Sequence, residues 1–170
     1  MTVVPVERFG EETDQLWQRA SAGYDFALMR DSSYLNWRFS DCPTRYKIWL
    51  ALRNGQAVGF LVTSASRAVP TAAIVDLFTE SSDAEAVRAL LATGMGSLLN
   101  SGVQLISTWT LQGSAHVSAL PAAHELLQRA FPFRKTQHLH LAIRVLRPQE
   151  ITLPLASQKW HFTLGDSDGA

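Results

Sequence analysis

The run Ala72 to Thr79 reads AAIVDLFT and is apolar almost throughout, with one carboxylate, Asp76, set inside it. A short, continuous apolar run suits a central strand covered on both faces. It is followed closely by Ser82-Asp83-Ala84-Glu85, and then by Val87, Leu90, Leu91, Met95, Leu98 and Leu99 at three- and four-residue spacing. The serine and glutamate three positions apart form a capping box, with Ser82 as the expected N-cap bonding the Glu85 amide. The periodic run is an amphipathic helix. Asn100-Ser101-Gly102 ends it, and Val103 to Thr110 reads as the next strand. Strand, helix and strand in this order imply a parallel pair joined by a right-handed crossover.

The flanks add antiparallel pairing. Lys47 to Arg53 and Ala57 to Ser64 surround Asn54-Gly55, the strongest short hairpin signal. Thr2 to Val6 is β-prone, and Pro5 places it at a sheet edge. Phe9 to Ala20 is helical, and Asp31 or Ser32 can cap a second short helix in DSSYLNWRF. Ala115 to Ala130 reads as a helix. Gln137 to Leu146 alternates as a strand, and Trp160 to Leu164 as a short last strand. The economical architecture is α/β: a central mixed sheet flanked by helices. With 170 residues, the chain reads as a single domain over 1–170.

Composition narrows the function classes. Lys+Arg and Asp+Glu are both 15, for a formal net charge of zero, which argues against a strongly basic nucleic-acid binder. One cysteine, Cys42, provides neither a disulfide framework nor a thiolate metal cluster. No apolar run is long enough for a membrane span, and the N-terminus lacks a signal-peptide pattern. The expectation is a cytoplasmic domain.

Several residues carry chemistry. Asp76 inside an apolar strand needs a partner or a raised pKa. It reads either as a general base or as half of an ion pair with an arginine such as Arg38. Tyr34, Trp37 and Arg38 share a short helix; they form a substrate wall, or Trp37 packs into the core and Arg38 pairs with an acid. His138 and His140 read as a polar strand face rather than a metal site, so no metal is expected. Gly94 and Gly96 lie within a helix and serve close packing, not phosphate binding. The tail from Gly165 to Gly169 reads as a polar end bonded over a sheet edge beside Trp160.

The order of elements resembles the GNAT acetyltransferase superfamily over essentially the whole chain. The resemblance is carried by LALRNGQAVGFLV, IVDLFTESSDAEAVRALLATGMGSLL, GVQLISTW and LLQRAFPFRK. RDSSYLNWRFSDCPTRYKIWLA, IVDLF and WHFTLGDSDG are similar to a bacterial branch associated with polysaccharide or cell-envelope biosynthesis, some members of which carry two modules. The resemblance implies a GNAT fold and transfer of an acetyl or acyl group from acetyl-CoA to an amine, either a small molecule or an envelope precursor. It implies that the backbone of Leu77, Phe78 and Thr79 holds the donor's arm, with Ser82, Asp83 and Ala84 at its pyrophosphate. Trp109 would form the opposite wall, and Asp76 or Glu80 would take the amine's proton through water. It also implies pairing with a second module or a homodimer. The chain departs from the family's glycine-rich pyrophosphate loop, since residues 79–86 hold three acids and no glycine. Phe131 and Phe133 stand where many members keep a tyrosine acid. Both departures favour the alternative, a non-catalytic GNAT-like module.

Overall fold

The computed structural model describes residues 1–24, 26–80, 83–108, 160–161 and 163–166. A five-stranded sheet is ordered β1-β3-β4-β5-β6. Its strands are β1 (Thr2–Val6), β3 (Tyr46–Arg53), β4 (Gln56–Ala65), β5 (Thr71–Thr79) and β6 (Leu105–Thr108). The pairs β1·β3, β3·β4 and β4·β5 are antiparallel, and β5·β6 is parallel. A two-residue parallel ladder joins β2 (Phe26–Ala27) to β7 (Trp160–His161).

The turn between β3 and β4 has Asn54 at φ 53° and Gly55 at φ 82°. Two successive positive φ values make the tight turn whose twist matches its strands. Pro5 does lie on an edge strand, the place in a sheet where proline is tolerated.

Two cores lie on opposite faces of the sheet. One joins α1 (Glu11–Ala20) and the region of α2 (Ser32–Leu35) to β3, β4 and β5, through Leu16, Leu35, Phe39, Leu50, Phe60 and Phe78. The other joins α3 (Ala84–Asn100) to the same strands, through Leu61, Ile74, Leu77, Val87, Leu90 and Leu91. This double cover explains why β5 is apolar throughout. Gly94 brings α3 onto β4: a Cβ there would stand 2.3 Å from Leu61 Cδ2. A Cβ on Gly96 would meet nothing within 4 Å, so only Gly94 serves close packing.

Asp31 caps α2 by accepting from the Tyr34 amide at 2.7 Å. The chain then widens into a π turn over Asn36–Ser40. Asn36 is fixed by exchanging two bonds with the Phe9 backbone, at 2.8 and 2.9 Å.

Two expectations are corrected. The N-cap of α3 is Asp83, not Ser82: its carboxylate accepts from the Ala86 amide at 3.0 Å. Arg53 holds that carboxylate at 2.8 and 3.0 Å, which settles the cap one residue later than the capping box implies. The described last strand is Trp160–His161, and Leu164, expected within it, instead opens a 3₁₀ turn, Leu164–Asp166, in which Asp166 turns back to accept from the Thr163 amide at 2.8 Å. The strand β2 was not anticipated. The predicted helix at Ala115 to Ala130 and strand at Gln137 to Leu146 lie outside the described residues, as do Ser82, Trp109, Phe131, Phe133, His138 and His140.

Candidate active site

A bulge in β5 builds the centre of the site. Val62 pairs with Asp76 and Thr63 with Ile74, so Val75 is an extra residue without a partner on β4. A bulge shifts the alternation of side chains by one. Before it, Ile74 faces α3; after it, Leu77 does. Asp76 is thereby turned to the α1 face, where an unbroken alternation would have pointed it at α3.

There it meets Arg30, whose side chain is 0% exposed. Arg30 Nε donates to Asp76 Oδ2 at 3.2 Å. Its Nη2 donates to Asp166 Oδ1 and Oδ2 at 2.9 and 2.8 Å, and its Nη1 to the Leu28 carbonyl at 2.9 Å. His161 Nε2 lies 3.7 Å from Asp76 Oδ1, beyond hydrogen-bond length. The rings of Tyr24 and His161 both pack on Phe78, at 5.5 and 5.4 Å, and meet each other edge-on at 5.2 Å. Tyr24 Oη and His161 Nε2 are buried without a hydrogen-bond partner among the described residues.

The electrostatics follow from burial. Burial alone would raise the Asp76 carboxyl; the Arg30 charge, with His161 beside it, outweighs this and holds it below its ordinary value. Burial, then the Arg30 charge, push His161 below its ordinary 6.5, against the pull of Asp76 and Asp166. Burial raises the Tyr24 hydroxyl well above its ordinary range. The cluster thus holds one cation, two carboxylates and a neutral imidazole.

The backbone of β5 beyond the bulge has a second property. Glu80 N donates to the Val58 carbonyl, so by alternation the peptide groups of Asp76 and Phe78 face β4. Those of Leu77 and Thr79 face the β6 side. The described pairing with β6 ends at Ile74–Thr108. The side chains of Leu77, Phe78 and Thr79 are buried, so these residues can offer a ligand only their backbone.

The acids after β5 are each paired. Glu80 accepts from Arg19 Nε at 2.7 Å, Asp83 from Arg53, and Glu85 from Arg53 Nη2 at 2.9 Å. Three carboxylates and two guanidiniums leave this end with a net charge of −1, less negative than the sequence suggests. Ala84 is the first residue of α3.

In the π turn that follows α2, Trp37 is 66% exposed, so it does not pack into the core. It lies against Tyr34 at 5.8 Å. Arg38 donates to the Gly165 carbonyl at 3.0 Å, so the partner of Asp76 is Arg30 and not Arg38. The site therefore unites Asp76 with residues that the sequence did not mark: Arg30, His161 and Tyr24. The acidic tail flagged beside Trp160 supplies Asp166, the one usable signal. Among the described residues, no group of three His, Cys, Asp or Glu could hold a metal ion. No described helix is long and apolar enough to cross a membrane.

No family model matches the chain, and no curated protein matches it. Solved structures do. An aminoglycoside acetyltransferase from an uncultured soil metagenomic sample, in complex with sisomicin, superposes with TM-score 0.51 at 15% identity, over 84% of this chain and 96% of that one. Aminoglycoside N-acetyltransferase AAC(6')-Iy, in complex with CoA, gives 0.51 at 11% identity, over 85% and 99%. A tandem GNAT protein from the clavulanic acid biosynthesis pathway gives 0.57 at 19% identity, over 77% of this chain and 43% of that one. This chain has the GNAT fold: a mixed five-stranded sheet flanked by helices, of the kind these acetyltransferases share.

Proposed function

We propose that this protein is an acyl-CoA N-acyltransferase that moves an acetyl or acyl group to an amine. The observation that carries the reading is the bulged β5. Past Val75 the strand presents the peptide groups of Leu77 and Thr79 on the side away from β4, beyond its described pairing with β6. An extended thioester donor with amide groups along its arm fits such an edge, adding backbone bonds like another strand. Tyr34, Trp37 and Arg38 are offered as the acceptor wall, with Trp109 opposite. The tandem protein, matched over 43% of its length, supports the reading that the chain is one module of two; its proposed acceptor is a small amine or an envelope precursor, and its proposed place the cytoplasm. A homodimer would serve the same pairing.

A second reading is favoured by one observation. Asp83 already occupies the Ala86 amide at the α3 N-terminus, and Arg53 is engaged with Asp83 and Glu85. A donor pyrophosphate placed there would have to displace a carboxylate that meets the same helix end for the same reason. On this reading the chain is a non-catalytic module that does not turn over CoA. Calorimetric titration with acetyl-CoA separates the two. The acyltransferase reading expects saturable binding that tightens in Asp83→Asn/Glu85→Gln, with the gain shrinking as salt rises. No heat from either protein refutes it and leaves the non-catalytic module.

A further inference from the structure

We propose that the segment carrying β7 and the 3₁₀ turn Leu164–Asp166 is a strap that lies closed over the β5 bulge at neutral pH and is released by acid, with His161 as its trigger. The device stands apart from the acyl-transfer reading and does not need it.

The strap is seated closely but tied lightly. Gly165 rests on the bulge itself: a Cβ there would stand 2.9 Å from Phe39 Cζ, 3.4 Å from the Val75 carbonyl oxygen and 3.5 Å from Asp76 Cβ. Thr163, Leu164 and Gly165 are buried. The described ties are few. Phe26 pairs with Trp160 and Ala27 with His161, Arg30 pairs with Asp166, and Arg38 donates to the Gly165 carbonyl. The β3·β4 ladder, by contrast, runs unbroken in pairing from Tyr46–Ser64 to Arg53–Gln56. Lightly tied segments open locally, ahead of the sheet. Opening here strands no charge. Arg30 keeps Asp76, and Asp166 passes to water, where a carboxylate needs no protein partner.

His161 makes that opening depend on pH. Its side chain is 8% exposed, and its ring packs on Phe78 at 5.4 Å and Tyr24 at 5.2 Å. Nε2 has no hydrogen-bond partner among the described residues, since Asp76 Oδ1 stands 3.7 Å away. An imidazolium in that place would have neither water nor a close counter-ion. The described charged groups facing the ring are Arg30, which precedes α2, Asp76 on β5 and Asp166 on the strap; Tyr24 adds a hydroxyl that burial keeps neutral. Burial, then Arg30, outweigh the two carboxylates and hold the ring below its ordinary 6.5 while the strap is closed. Once open, the ring meets water and titrates normally. Protons therefore favour the open form: the closed form keeps its full advantage above pH 6.5 and loses it as pH falls toward the closed-state value. For a ring that stays neutral when closed, the open fraction rises about 30-fold between neutral pH and pH 5. Over that range Arg30 stays charged and Asp76, already held below its ordinary value, stays ionised. Release uncovers Asp76 at the bulge.

Amide hydrogen exchange of the full chain, read by NMR at pH 7.5 and pH 5.0 with each rate divided by its intrinsic rate, tests this. The amides of Thr163 and Asp166, which bond within the strap, report its opening. Leu50 and Phe60, paired across β3 and β4, are the reference. The strap amides should be less protected than the reference at pH 7.5, and their protection should fall roughly 3- to 30-fold at pH 5.0. In His161→Phe, which keeps an aromatic ring at the position, that fall should vanish. Strap amides as protected as the reference at pH 7.5 overturn the proposal, because the strap then has no opening of its own. A fall below about twofold in wild type overturns it as well. So does a fall retained in His161→Phe, which moves the trigger to a carboxylate such as Asp166. A titration of the His161 ring in wild type needs no variant to fold: a midpoint below 6.5 is expected, and one at or above it overturns the proposal.

Discussion

Arg30→Met removes the centre of the buried cluster, and its effect can be worked from the contacts. The side chain is fully buried and serves two carboxylates and one carbonyl. Its loss leaves Asp76 and Asp166, each with a side chain 2% exposed, without their cation. Breaking a buried ion pair by removing one partner costs about 3–5 kcal/mol, because an uncompensated charge stays behind. With two carboxylates orphaned, the expected loss at pH 7 lies at the upper end, about 4–5 kcal/mol. Against a total stability of roughly 5–15 kcal/mol this approaches unfolding. The sign of the pH dependence is a second check. In wild type the Asp76 pKa is depressed, so its contribution is present above the unfolded value of 3.8 and is lost as pH falls through the folded one. In the variant the same carboxyl is pushed upward by burial, so acid relieves the defect. The wild-type advantage should therefore shrink between pH 7 and pH 4. Urea unfolding followed by circular dichroism measures both. A loss below about 1 kcal/mol at pH 7, or one that does not change with pH, would refute the assignment. Arg30→Met combined with Asp76→Leu should recover part of the loss, since an apolar pair leaves no charge to strand.

Three further outcomes are expected. Asp83→Ala should cost about 1 kcal/mol through loss of the α3 cap while Asp83→Asn, which keeps an acceptor oxygen, costs a fraction of that; equal losses in a thermal melt would place the cap elsewhere. Gly94→Ala should destabilise by about 1–2 kcal/mol despite the better helix propensity, because its Cβ collides with the fully buried Leu61, and a gain in denaturation midpoint would show that α3 does not sit on β4 so closely. His161 has a depressed folded pKa, so its share of stability is present above the unfolded value of 6.5 and is lost as pH falls toward the folded one; His161→Phe should flatten that part of the stability profile, and an unchanged slope would show that the ring titrates normally.

The parts of the fold that were legible in the sequence are those that rest on local chemistry. Asn54-Gly55, the Asp31 cap, the edge proline and the long periodic helix each carry their own signal within a few residues. The apolar run of β5 also told its own place, because a strand covered on both faces has no polar side to alternate with. The site was less legible because it depends on a defect in that regularity. Strict alternation puts Asp76 on the α3 face, and only the extra residue at Val75 turns it to Arg30. Nothing local marks the bulge. Arg30 itself precedes the Asp31 cap without any pattern, and its second partner, Asp166, is 136 residues away. The cap of α3 was misplaced for the same kind of reason: Arg53, on a different strand, chose Asp83 over Ser82.

One device, a carboxylate gripped by a guanidinium, is used at both ends of the proposed donor edge, and burial gives the two uses opposite consequences. At Asp76 both partners are sealed from water, so separating them strands charge in a low dielectric and the arrangement is fixed. At Asp83 the arginine is 37% exposed, so water and salt compensate either partner when the pair opens, and the grip is weak. The buried end is therefore rigid, while the end that would meet a donor's phosphates on the proposed reading can exchange partners. Arg53 leaving Asp83 and Glu85 for a phosphate swaps one exposed anion for another, at the cost of two carboxylates turning to solvent. On the proposed acyl-transfer reading, that exchange, and not the bare count of acids after β5, would set whether a pyrophosphate is accepted. On that reading donor affinity would depend on ionic strength, while the buried cluster would be almost indifferent to it.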